Sequence, residues 1–137
     1  MRNARPVLLV EDDSIDAITV KRALHDLGVQ TLLVHSTNGE EALQYLRDDA
    51  NEKPCIILLD LNIPKMSGIE FLRIVKSDEY LKAIPVIVLT TSKKDHDVID
   101  SFEQSVAGYM IKPVNYQQFV EAMRTLHKYW ALSKLPV

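Results

Sequence analysis

Thiols are nearly absent from this chain: Cys55 is the single cysteine among 137 residues. No disulfide framework can form, and a reducing, cytoplasmic setting is expected. Beside no second thiol and no evident base, Cys55 reads as a small residue at the start of a strand. Runs of membrane length are also missing. The N-terminal stretch Met1 to Val10 holds only a short apolar run before three acids, so neither a signal peptide nor a membrane span is expected. Excess positive charge is lacking too: the formal net charge is −3, which argues against a nucleic-acid partner. There is no Gly-rich phosphate loop of either common type and no low-complexity segment or repeat. The four histidines (His25, His35, His96, His127) show no metal-ligand spacing.

What the chain does hold is an ordinary globular composition, 47% apolar and 26% charged. Its length predicts one domain over residues 1–137, with a core at about 5–129 and a C-terminal extension at about 130–137. The central stretch is Ile56-Ile57-Leu58-Leu59-Asp60, a continuous apolar run that ends in an acid and is followed by Pro64 and Gly68. Such a run reads as a strand buried on both faces. Val7 to Val10 is a second, ending in Glu11, Asp12 and Asp13. Thr31 to His35, Pro85 to Leu89 and Tyr109 to Ile111 supply three more.

Helical spacing fills the gaps. Ala17, Val20, Leu24 and Leu27 follow Ser14, a plausible N-cap, and Gly28 stops that helix. Ala42, Leu43 and Leu46 mark a second helix; Ile69, Leu72 and Val75 a third; Val98, Ile99, Phe102 and Val106 a fourth. Tyr116, Phe119, Val120, Met123, Leu126 and Trp130 line the last. Five strands alternating with five helices predict an α/β fold, a doubly wound parallel sheet in the order 2-1-3-4-5. The topological switch then lies between strands 1 and 3, the two that end in acids.

The same rim collects Glu11 and Asp12 from strand 1, Asp60 from strand 3, Thr90 from strand 4 and Lys112 from strand 5. Taken singly, an acid after a strand is ordinarily a cap or turn residue, as expected for Asp13, and a lone Thr or Lys-Pro is equally ordinary. Together they describe a site. Carboxylates about 5 Å apart at an effective dielectric near 20 repel by roughly 3 kcal/mol per pair. Such a cluster needs protons or a cation, and oxygen ligands suit Mg²⁺ (or Mn²⁺). Asp12, Asp60 and the backbone carbonyl of Asn62 are the expected direct ligands, with Glu11 acting through water. Asp60 is the expected nucleophile toward phosphorus, with Lys112 and Thr90 neutralising the transferred group.

Four segments carry a resemblance: Leu9-Val10-Glu11-Asp12-Asp13, Asp60 to Gly68, Val88-Leu89-Thr90-Thr91-Ser92 and Tyr109-Met110-Ile111-Lys112-Pro113. Over about residues 5 to 129 the chain resembles the receiver domain of two-component response regulators, a flavodoxin-like (βα)5 fold, and the strand order 2-1-3-4-5 expected above is not independent of this resemblance. The resemblance implies that Asp60 accepts a phosphoryl group from a sensor histidine kinase. It implies Glu11 and Asp12 as the acidic pair, Thr90 and Tyr109 as the switch pair, and a cis bond before Pro113. Glu11 stands where Asp is commoner, which favours indirect metal contact. Asn62 and Ser92 occupy the positions that tune hydrolysis, and Ser92 predicts a longer-lived phosphoryl state. More narrowly, Leu89 to Lys93 and Tyr129 to Pro136 resemble small response regulators that partner bacterial phytochromes.

Phosphorylation is then expected to reshape the face formed by helix 4, strand 5 and helix 5 for partner binding, dimerisation or phosphorelay to a phosphotransfer protein. Val98, Phe102, Tyr116, Trp130 and Leu135 are candidates for that face. The first three read more readily as simple core. Trp130 and Leu135 are expected beyond the domain edge, as a homodimer surface. No output domain is expected. The alternative is a phosphorylation-independent interaction module. A haloacid-dehalogenase-type phosphohydrolase is disfavoured because Asn62 stands where its second Asp belongs.

Overall fold

The computed structural model describes residues 5–134. Ten elements alternate: β1 (Val7–Val10), α1 (Ser14–Asp26), β2 (Leu33–Ser36), α2 (Gly39–Arg47), β3 (Ile56–Leu59), α3 (Gly68–Ser77), β4 (Val86–Thr90), α4 (Asp95–Glu103), β5 (Gly108–Ile111) and α5 (Tyr116–Leu132). The five strands form one parallel sheet in the order β2-β1-β3-β4-β5. Every residue of β1, β3 and β4 is buried, as the apolar runs require of strands covered on both sides.

Side-chain alternation divides the core in two. Leu8, Val10, Ile57, Leu59, Val86 and Val88 point toward the layer where Leu43, Leu46, Phe71, Leu72 and Val75 sit. Val7, Leu9, Ile56, Leu58, Ile87 and Leu89 point the other way, to Ala17, Val20, Leu24, Phe119, Met123 and Leu126. Each layer fixes the strand register, because a slip of one residue would exchange the two faces.

Register in turn sets the rim. Val10 pairs with Leu59, so Glu11 and Asp60 leave the sheet level with each other. Thr90 pairs with Ile111, and the Lys112 N–H donates to the Thr90 carbonyl (2.8 Å), which carries Lys112 onto the same edge.

Several local details differ from the sequence reading. Asp13, not Ser14, caps α1: its carboxylate accepts from the Ile15 and Asp16 N–H groups at 2.9 and 3.2 Å. β2 begins at Leu33 rather than Thr31. α4 ends at Glu103; Ser105 turns the chain with φ 61, and Val106 is buried beyond the helix rather than on it. Phe102 is 51% exposed, so it is not core. Trp130, expected at an exposed edge, is 7% exposed and belongs to the core layer of α1 and α5, with His127 edge-on to its ring at 5.4 Å. α5 continues to be covered by the domain at that point, which removes Trp130 from a dimer surface. Leu135 lies outside the described residues.

Candidate functional site

Asp60 is buried at the end of β3, and both of its oxygens have partners. Oδ1 accepts from the Thr90 hydroxyl (2.8 Å) and from the Asn62 N–H (3.0 Å). Oδ2 accepts from the Lys112 ammonium at 2.9 Å. Burial opposes the charge on Asp60, but the Asn62 N–H and the Lys112 ammonium outweigh it and hold the carboxyl below its ordinary value.

Lys112 is the hub. Its Nζ also donates to Glu11 Oε1 (2.5 Å) and Asp16 Oδ2 (2.9 Å), so all three N–H groups are engaged. Burial alone would lower its pKa; the three carboxylates raise it instead, so the ammonium stays charged. Glu11 responds in the opposite sense to Asp60. Desolvation at 2% exposure exceeds the help from Lys112 and pushes its carboxyl up to about 7. Two acids on adjacent strands are thus driven apart by their surroundings.

Glu11, Asp16 and Asp60 each bring a carboxylate oxygen within 4.8 Å of the others. Asp12 is exposed and is not part of that group. Asp16 was not anticipated. It stands in the first turn of α1, which starts at the rim, so a first-turn acid there was the available signal. His35, which shows no metal-ligand spacing, donates through Nε2 to the Glu11 backbone carbonyl at 2.7 Å and ties β2 to the site. The donor set is all carboxylate oxygen, hard and anionic, and fits a hard divalent cation.

On the β4 side, the Tyr109 hydroxyl donates to the Ser92 carbonyl (3.0 Å), and the Ser92 hydroxyl donates to Asp97 Oδ2 (2.5 Å). On the α1 side, a cleft of about 430 Å³ opens beside Lys112, lined by Asp16, Arg22, Thr91, Pro113 and Tyr116. Arg22 lies 4.2 Å over the Tyr116 ring, and the Tyr116 hydroxyl donates to Asp26 at 2.6 Å, which joins α1 to α5 across that cleft.

Residues 7–124 match the model of the response regulator receiver domain. This chain belongs to that family. As a receiver domain it is a phosphoryl acceptor in two-component signalling and works with a phosphodonor histidine kinase. Among curated relatives, the probable methanogenesis regulatory protein FilR2 of Methanothrix harundinacea is 37% identical over 127 residues, 90% of this chain and 82% of that protein. The response regulator Rcp1 of a Synechocystis species is 35% identical over 128 residues, 90% and 87% of the two chains. Among solved structures, the phosphorylated cyanobacterial phytochrome response regulator RcpA superposes with a TM-score of 0.91 at 36% identity, covering 98% of this chain and all of its own (100%). The Mn²⁺-bound form of Rcp1 gives 0.89 at 34% identity, covering 97% and 99%. The receiver fold expected from the sequence is therefore shown. Among the described residues, no helix is long and apolar enough to cross a membrane.

Proposed function

We propose that Asp60 is the phosphoacceptor. A carboxylate oxygen of Asp60 attacks the phosphorus of a kinase phosphohistidine; the P–N bond breaks, and its electron pair returns to the imidazole nitrogen. The product is an acyl phosphate on Asp60. The observation that carries this reading is the asymmetric seat of Asp60. Oδ1 is fixed by two donors, while Oδ2 accepts from Lys112, a cation placed to meet the arriving phosphoryl oxygens.

Asp12, Asp60 and the Asn62 carbonyl, with Glu11 through water, are proposed to hold Mg²⁺ or Mn²⁺. The bound ion supplies charge neutralisation at the phosphoryl oxygens. The grouping of the Glu11 and Asp60 carboxylates and the Mn²⁺-bound relative support a cation there, while Asp12, exposed at the rim, and the Asn62 carbonyl enter on the resemblance alone. Thr90 and Tyr109 are proposed as the switch pair. Thr90 contacts Asp60, and Tyr109 reaches back over the β4–α4 loop to Ser92, so a change at Asp60 has a path to α4. The Ser92 proton is committed to Asp97, which keeps it from aiding an attacking water and supports slow autodephosphorylation.

The responding surface is read as α4, β5 and α5, where Ile99, Phe102 and Ile111 are exposed. It would serve partner binding, phosphorelay or a homodimer in the cytoplasm. Likeness to RcpA supports a phytochrome-type kinase as the donor.

The test uses radiolabelled acetyl phosphate with Mg²⁺. Label should appear on the wild type and be absent from Asp60→Asn. Label that survives that substitution would overturn the assignment. An unlabelled wild type that still binds its partner would favour the phosphorylation-independent module. A kinase panel that includes a bacterial phytochrome tests the donor, and light scattering with and without beryllofluoride tests the dimer.

A further inference from the structure

The ammonium of Lys112 has three protons and three carboxylate partners, and the three partners do not have the same future. Under the phosphoacceptor reading, on which this inference rests, the N–H on Asp60 Oδ2 turns to a phosphoryl oxygen once the carboxylate is phosphorylated. Glu11, buried beside the acidic group, is the partner that a bound cation competes for. Asp16 shares the 4.8 Å carboxylate group but stands outside the proposed ligand set of Asp12, Asp60, the Asn62 carbonyl and Glu11. Its place is set independently, because its backbone N–H is held by the Asp13 cap at 3.2 Å and its side chain opens toward the cleft beside α5.

We infer that Asp16 is a positioning residue that holds Lys112 at the rim while the lysine's other two contacts are exchanged during phosphoryl transfer. Lys112 emerges from an edge strand on a flexible four-carbon stem, and an ammonium that lost two of three partners at once would swing toward solvent. One permanent carboxylate at 2.9 Å removes that freedom before the reaction begins. The plainer explanation is that Asp16 is a first-turn acid that stabilises α1 through the helix dipole, acting on stability alone. The two are separable because only the positioning role runs through Lys112.

Rates of labelling by acetyl phosphate, at saturating Mg²⁺, would be measured for Asp16→Ala and Asp16→Asn, each alone and with Lys112→Ala. Asp16→Ala should slow the maximal labelling rate about tenfold, in line with the usual size of couplings between residues in direct contact. Asp16→Asn, which keeps an acceptor, should fall between it and wild type. In the Lys112→Ala background the same changes should move the rate less than about twofold. A second readout holds even where Lys112→Ala labels too slowly to time. In ¹⁵N-lysine spectra the Lys112 ammonium signal should be sharp in the wild type and broadened by proton exchange in Asp16→Ala. Unchanged labelling and an unchanged ammonium signal in Asp16→Ala would overturn the inference, as would an equal loss in both backgrounds. Wild-type label that vanishes in Asp60→Asn, together with either of those results, would leave the phosphoacceptor reading standing and remove only the role of Asp16.

Discussion

Helices α3 and α4 follow adjacent strands, run for 10 and 9 residues, and lie side by side. They are nevertheless built on opposite plans. α3 is capped by Ser67, whose hydroxyl accepts from the Glu70 N–H at 3.1 Å, and it buries Phe71, Leu72 and Val75. α4 has Lys94 at its N-cap, which makes no side-chain capping hydrogen bond, and it buries only Ser101, while Ile99 and Phe102 face outward. The Ser101 hydroxyl, buried without a hydrogen-bond partner among the described residues, is a small penalty built into the helix. The loop before α3 carries the proposed phosphoacceptor and must not move; the loop before α4 carries Ser92 and is tied to Tyr109. Firm anchoring beside the chemistry and loose anchoring beside the proposed output surface is what a signalling domain needs.

The contrast can be broken most directly at the matched phenylalanines. Phe71→Ala should lose about 3–5 kcal/mol of unfolding free energy, and Phe102→Ala no more than about 0.5 kcal/mol. Equal losses in urea titrations would erase the distinction.

The β1 rim offers a control outside both units. Glu11 ordinarily titrates near 4.5 and is pushed up to about 7 when folded. Between those values the folded chain holds a proton that the unfolded chain has released, so this group's contribution falls as pH rises from about 5 to 7 and is level above. The difference in melting temperature between wild type and Glu11→Gln should therefore shift against the wild type across that window, by an amount equivalent to about 3 kcal/mol at most. A pH-independent difference would refute the raised pKa.

Next in size is Gly68→Ala. A Cβ there would lie 2.5 Å from the Leu61 Cα, so the start of α3 would have to shift, with an expected loss of about 1–3 kcal/mol in the same titrations. Smallest is Ser101→Ala, which removes an unpaired hydroxyl and should be neutral or stabilising by up to about 1 kcal/mol. Hydrogen exchange sharpens the whole contrast: amides of α4 should open sooner than those of α3, and matched protection would argue that the two are equally held.

Much of this was legible in the residues themselves. Ile56 to Asp60 announced a doubly covered strand ending in chemistry, and the ends of β1, β3, β4 and β5 brought Glu11, Asp60, Thr90 and Lys112 together. The illegible parts were those that depend on packing between distant segments. Asp16 becomes a partner of Lys112 across 96 positions only because α1 starts at the rim. Trp130 looked like an overhang because helical spacing says nothing about how far a neighbouring helix reaches. Phe102 looked like core because its spacing fits a buried stripe, whereas α4 turns a serine inward instead.

Gly68 has one more consequence. Its amide donates to the Leu61 carbonyl at 3.0 Å, and its missing side chain lets α3 touch the backbone just past Asp60. The connection between them is therefore a ruler rather than a tether, closed to lengthening. A side chain along it that points into solvent, such as that of Asn62, is open to exchange, while the span itself stays out of reach of gradual change.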